Sequence, residues 1–146
     1  MKLSIASDHG GVKLKQEIIE KLSNEYTFID CGTDSEESCD YPDYAIKAAT
    51  LVANKEVDYG IVICKSGIGV SIAANKVKTI RCALVKDVKN ASLCKQHNNA
   101  NMIALSANDT NVECAIEIIK TWLNEKFLGM QHQRRIDKIS KYETEH

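Results

Sequence analysis

A chain of 146 residues is the size of one domain, and folding at this length hides ~70% of the surface an extended chain exposes, enough for a core without metal or disulfide staples. Nineteen Lys and Arg against 20 Asp and Glu leave a formal charge of −1, which offers no field to nucleic acid or to an anionic membrane surface. No basic and then apolar leader and no apolar run of about 18 residues occurs, so neither export nor a membrane span is expected, and the expected partner is a small molecule or another protein.

The apolar run Leu3 to Ala6 predicts a first strand, and Val12 to Leu22, apolar at Val12, Leu14, Ile18, Ile19 and Leu22, predicts a helix. Tyr26 to Cys31 predicts a second strand, ended by Gly32. The polar loop TDSEESCDYPDY holds the only proline, Pro42, suited to the first turn of a helix reaching about Ala53. Val57 to Cys64, nearly all apolar at its centre, predicts a third strand covered on both faces. A short helix follows over GVSIAANKV, with Val70, Ala73, Ala74 and Val77 on one side. Cys82 to Val85 predicts strand four, Asp87 to about Lys95 a helix, and Met102 to Leu105 strand five. Thr110 to Leu123 predicts an amphipathic helix with Ile116, Ile119, Trp122 and Leu123 inward, and Gln131 to Tyr142 a last helix. Alternation at these lengths implies parallel strands with crossover helices. The expected fold is a single α/β domain over 1–146, a doubly wound, Rossmann-like three-layer sandwich on a five-stranded parallel sheet.

The six cysteines, Cys31, Cys39, Cys64, Cys82, Cys94 and Cys114, form no CxxC pair and no zinc spacing with histidine. Several sit in or beside apolar runs, where a free thiol acts as a small hydrophobe, and a reducing cytoplasm with free thiols is the simplest expectation.

Ligands of doubly wound sheets bind beyond the carboxyl ends of the strands. Strand one ends in SDHGG, strand three in CKSGIG, and the helix after strand four closes in KQHNNAN. Asp8, His9, Cys64, Ser66, His97 and Asn98 are therefore expected to converge on one edge. The loop Lys65 to Gly69 has two glycines at a helix start, where backbone N–H groups cradle an anion or oxyanion. Dinucleotide and nucleotide-phosphate patterns do not fit it: GxGxxG fails at Ile72, and a P-loop lysine needs glycine where Cys64 stands. The same loop also reads as a plain strand-to-helix turn, and pattern alone weighs the two evenly. Cys64 reads either as a buried thiol or as the reactive one of six. His9 and His97 read as surface or capping residues, or as proton-transfer groups with a pKa suited to neutral pH. Asp8 either caps a helix beginning near Gly10 or meets substrate. The cluster QHQRR, Gln131 to Arg135, is a solvated helix face or a phosphate receptor through arginine. Residue types alone also admit a cysteine hydrolase built from Cys64, His97 and Asp8.

With these residues in view, the chain resembles the ribose-5-phosphate isomerase type B family, which also includes the galactose-6-phosphate isomerase subunits. The resemblance spans essentially the whole chain, in SDHGG (7–11), DCGT (30–33), DYPDYA (40–45), GIVICKSGIGVSIAANK (60–76), IRCALV (80–85), KQHNNANMIAL (95–105) and HQRRIDKI (132–139). It implies an aldose-ketose isomerase without metal or cofactor that interconverts ribose 5-phosphate and ribulose 5-phosphate in the non-oxidative pentose phosphate pathway. His97 matches the residue that opens the sugar ring, and Cys64 the one that moves a proton between C2 and C1 through a cis-enediolate. The amides of Lys65, Ser66, Gly67, Ile68 and Gly69 match the oxyanion cradle. Asp8, His9, Tyr41, Ser66 and Asn98 match positions that hold the sugar or its phosphate. Family members are homodimers or tetramers with shared sites, so His97 and Asn98 are expected to reach a partner's Cys64, with the helix at about 131–142 packing on that partner.

The chain departs from the family pattern inside the site. The cysteine is ordinarily followed by Gly-Thr and here by Lys65-Ser66. Two phosphate-binding arginines align with Asn108 and Gln131, leaving Arg135 in register and Arg134 near position 131 on the helix face to compensate. A six-carbon sugar 6-phosphate such as that of allose or galactose is thus the competing substrate, and a phosphosugar-binding module with little turnover the competing role.

Overall fold

The computed structural model describes residues 1–146. Strand β1 (Lys2–Ser7) passes through a 3-10 turn at His9–Gly11 into α1 (Val12–Leu22). There follow β2 (Thr27–Asp30), α2 (Tyr41–Ala53), β3 (Tyr59–Cys64), α3 (Ile68–Ala74), β4 (Cys82–Leu84), α4 (Val88–Gln96), β5 (Met102–Ser106), α5 (Val112–Asn124) and α6 (Gln131–Glu145). Every strand pairing is parallel, in the order β2-β1-β3-β5-β4. A parallel neighbour is reached only by returning the chain across the sheet, which accounts for the helix between successive strands.

The two-residue period of the strands divides the core into two layers. Leu3, Ile5, Ile61, Ile63, Ile103 and Leu105 face α1, α4 and α5, where Ile18, Ile118, Ile119 and Trp122 are fully buried. Ala6, Val62, Met102 and Ala104 face α2 and α3, whose contact surface is Ala45, Ala48, Ala49, Val70 and Ala74. Bulky side chains thus hold one helical layer and small ones the other, giving the expected three-layer α/β sandwich.

The boundaries differ from the sequence expectations where side chains cap helices. Asp87 Oδ1 accepts the Asn90 N–H at 2.7 Å and Asn111 Oδ1 the Cys114 N–H at 2.8 Å, so both residues precede their helices. α3 stops at Ala74 because Asn75 turns the chain toward β4, donating to Cys82 O at 2.9 Å and accepting its N–H at 2.8 Å. Val77 therefore lies outside the helix. On α5 the inward residues include Ile118, while Ile116 sits half-buried on the flank.

Candidate active site

The sheet reverses its direction of growth between β1 and β3, which is where an open α/β sheet leaves a crevice. Asp8 and Cys64 flank that crevice. The Asp8 N–H donates to Ile63 O at 3.2 Å, and its side chain caps the 3-10 turn, accepting the Gly10 N–H at 2.9 Å. The capping reading of Asp8 is thus met, at a turn followed by α1 from Val12. His9 projects from the same turn onto the loop before α2, where its Nδ1 accepts the Cys39 N–H at 3.2 Å and lies 3.9 Å from Cys39 Sγ.

Cys64 ends β3 opposite Ser106 of β5 and is 6% exposed, a sulfur at the mouth rather than the centre of the core. Its Sγ accepts the Gly67 N–H at 3.2 Å. Gly67 has φ +78°, and a Cβ there would stand 2.6 Å from Leu84 Cδ1 and 3.0 Å from the Leu105 carbonyl carbon. Only glycine takes that conformation in that space, so the amide aimed at the sulfur is fixed by the sequence. Ser66 Oγ accepts the Ile68 N–H at 3.2 Å, and the Tyr41 ring covers Gly69, 2.7 Å from where a Cβ would be. Glycines at 67 and 69 thus leave room for the Leu84 side chain and the Tyr41 ring to close onto the loop backbone.

Three of the other thiols lie in surroundings that disfavour the thiolate. Burial pushes Cys82 up to about 12, with Cys94 adding to the effect, and Cys94 up to about 11; burial also raises Cys31. Burial thus favours the protonated, less nucleophilic form in all three. All six are free. No three His, Cys, Asp or Glu side chains are grouped to hold a metal ion, and no helix is long and apolar enough to cross a membrane.

One expectation fails within the chain: His97 and Asn98 do not join this edge. A helix that follows a parallel strand runs back antiparallel to it, so the carboxyl end of α4 lies at the amino edge of the sheet, opposite Cys64. There His97 caps α4, with its ring stacked on that of His132, centroids 4.3 Å apart and planes at 11°. The carbonyl of exposed Asn98 accepts Arg81 Nε at 3.0 Å. Arg134 and Arg135 are exposed on the same turns of α6 as His132. One chain thus carries two groups on opposite edges: Asp8, His9, Tyr41 and Cys64 with its loop, and His97, Asn98, Arg134 and Arg135.

Three participants escaped the sequence reading. Cys39 orients His9, His132 stacks on His97, and Ser106 donates its hydroxyl to Lys65 O at 2.7 Å, holding the loop after Cys64. Ser106 follows directly on the apolar run Met102 to Leu105, at the strand end where a polar residue has meaning.

Comparison with known proteins agrees with this fold. The family model described as Ribose/Galactose Isomerase matches residues 3–139. A Bacillus subtilis protein named "Putative sugar phosphate isomerase YwlF" is 49% identical over 145 residues, covering 98% of this chain and 97% of the relative. Ribose-5-phosphate isomerase B of Clostridium thermocellum superposes with a TM-score of 0.97 at 44% identity, covering 99% of each chain. That of Mycoplasma genitalium, solved with bound ribulose-5-phosphate, gives 0.94 at 43% identity over 99% of this chain and 97% of its own. Agreement in sequence and fold along nearly the whole length makes this chain a member of the ribose/galactose isomerase family.

Proposed function

We propose that the protein is an aldose-ketose isomerase interconverting D-ribose 5-phosphate and D-ribulose 5-phosphate, with Cys64 as the proton carrier. The observation that carries this reading is the Cys64 thiol at the end of β3, accepting the Gly67 amide, in a fold whose relative holds ribulose-5-phosphate. The partner's His97 takes the proton of the C1 hydroxyl and delivers one to the ring oxygen, breaking the C1 to ring-oxygen bond. The Cys64 thiolate then removes the C2 proton. Electrons move onto the C1 carbonyl oxygen, giving a cis-enediolate, and the amides of Lys65 to Gly69 meet that charge as it forms. The thiol returns the proton to C1 while the C2 hydroxyl proton passes to O1; C1 is reduced and C2 oxidised, with nothing lost.

In this reading Asp8, His9, Tyr41 and Ser66 line the sugar, and Asn98, Arg134 and Arg135 come from the partner subunit, whose helix α6 closes the site. One isomerase domain over 1–146 then works as a homodimer or tetramer. Six free thiols suit a reducing cytoplasm.

The test is direct isomerisation by purified protein, with Cys64→Ala as control. Loss of a positioned base lowers turnover by about 10²–10⁴. The Gly67 N–H then lacks an acceptor, a cost of about 1 kcal/mol that leaves the protein folded. Equal turnover by the variant removes Cys64 from the mechanism. Relative kcat/KM for five- and six-carbon phosphates decides the substrate.

A further inference from the structure

Lys65 spans the crevice rim from one side to the other. Its carbonyl oxygen accepts the Ser106 hydroxyl at 2.7 Å and the Asn108 N–H at 3.0 Å, tying its backbone to the turn after β5. Its side chain runs the opposite way, onto the turn that carries His9. A Cβ placed on Gly10 would stand 2.5 Å from Lys65 Cγ, 3.3 Å from Cδ and 3.1 Å from Cε. The methylene stem therefore lies against the bare Cα of Gly10, and it is the missing side chain at residue 10 that sets its direction.

The charge at the end of that stem is unspent. Lys65 takes part in none of the four ion pairs of the chain, and the residue is exposed. The adjoining groove of about 490 Å³ between Gly10 and Asn108 holds Lys13, but Glu17 and Glu113 line it too, so the groove itself has no surplus of positive charge. Asp8 beside the cradle is a carboxylate engaged in capping. An ammonium with an aligned stem and no carboxylate partner, one residue from Cys64, is placed for an anion brought by a ligand.

We propose that Lys65 is a specificity-determining residue: its ammonium, aimed by Gly10, receives the phosphate of the sugar phosphate and selects phosphorylated over neutral sugars. This rests on the isomerase reading of the Cys64 loop. Phosphate is a dianion near neutral pH, so one hydrogen-bonded cation contributes about tenfold or more to its binding.

Two measurements test it, one independent of turnover. Calorimetry with inorganic phosphate at low salt, and KM for ribose 5-phosphate, are compared between wild type and Lys65→Met, which keeps the stem and loses the charge. Both constants are expected to rise about tenfold or more, with kcat moving less than KM, and Lys65→Arg to recover part of the loss. Gly10→Ala displaces the stem and is expected to weaken phosphate binding, whereas adding it to Lys65→Gly, which has no stem to displace, costs nothing further. Unchanged phosphate affinity and KM in Lys65→Met, no phosphate binding by wild type, or additive losses at residues 10 and 65 overturn the proposal. Wild type that binds phosphate through Lys65 but isomerises no sugar phosphate would instead overturn the isomerase reading and leave the anion role standing.

Discussion

The Cys39 backbone N–H donates to His9 Nδ1 at 3.2 Å, and Cys39 Sγ lies 3.9 Å from the same nitrogen. An amide N–H cannot accept, so Nδ1 must carry its lone pair inward and the neutral ring must carry its proton on Nε2. Nε2 is then left as a hydrogen-bond donor, the sense a phosphate or a sugar oxygen requires. Two-bond proton–nitrogen correlation spectra at pH 7.5 are expected to show the Nε2–H tautomer for His9. Observation of the Nδ1–H tautomer would remove both the bond and the donor role.

That bond also marks where sequence reasoning reaches its end. The layers were readable because apolar runs of strand and helix length alternate, and because Ser7-Asp8 and Cys64-Lys65 break those runs abruptly. The cradle was readable because glycines and small polar residues follow the cysteine. Cys39, by contrast, lies in a polar loop without periodicity, and its partner is set by how that loop folds over β1. The edge on which His97 falls was legible in principle, since a crossover helix reverses direction, yet a pattern read along one dimension records an element's end without its side of the sheet. Contacts such as His97 with His132 join an exposed helix to a distant helix end, and neither hydropathy nor spacing encodes that.

The same pair makes the docking of α6 sensitive to pH. Loss of solvation, and then repulsion from His97 and Arg135, holds His132 below the ordinary histidine value of 6.5. Between 6.5 and that lowered value the undocked helix takes up a proton that the docked one refuses. Docking is therefore at full strength above pH 6.5 and weakens as the pH falls through 6.5 toward the lowered value. Amide exchange along α6, corrected for the intrinsic rate, is expected to be faster at pH 5.5 than at 7.5. In His132→Phe, which keeps a stacked ring without a charge, that difference is expected to vanish; its persistence would exclude the histidine pair as the cause.

Lys15 reports on how the loop bearing Cys39 is held. Its side chain is 0% exposed, with Nζ at 2.6 and 2.7 Å from the two Asp30 carboxylate oxygens and at 3.2 Å from Asp34 Oδ1. The ammonium thereby fastens α1 to the end of β2 and to the first residues of that loop. Lys15→Met fills the same space and leaves Asp30 without its cation. Because the Asp30 side chain is 35% exposed, water makes up part of the loss. The expected cost is about 1–3 kcal/mol, below the 3–5 kcal/mol of breaking a fully buried pair. Urea unfolding measures it, and a stability equal to wild type would show that the pair is neutral. KM is expected to rise with it, since a loosened loop no longer fixes His9.

Cys64 and His97 occupy opposite edges of one sheet, so a single chain cannot bring its own pair to one sugar. The proposed two-fold assembly would bring them together, because each copy presents the same two surfaces and the carboxyl edge of one could meet the amino edge of the other. The arrangement makes two crippled proteins complementary. Cys64→Ala and His97→Asn are each expected to be nearly inactive as pure assemblies, for in each every site lacks one group. When the two are unfolded together and refolded at equal amounts, random dimers are half mixed. A mixed dimer has one site with both defects and one site with neither. The expected recovery is therefore about a quarter of wild-type activity, reached on subunit exchange and absent when the two are merely combined without it. If each site were built within one chain, every site in the mixture would keep its single defect and no activity would return.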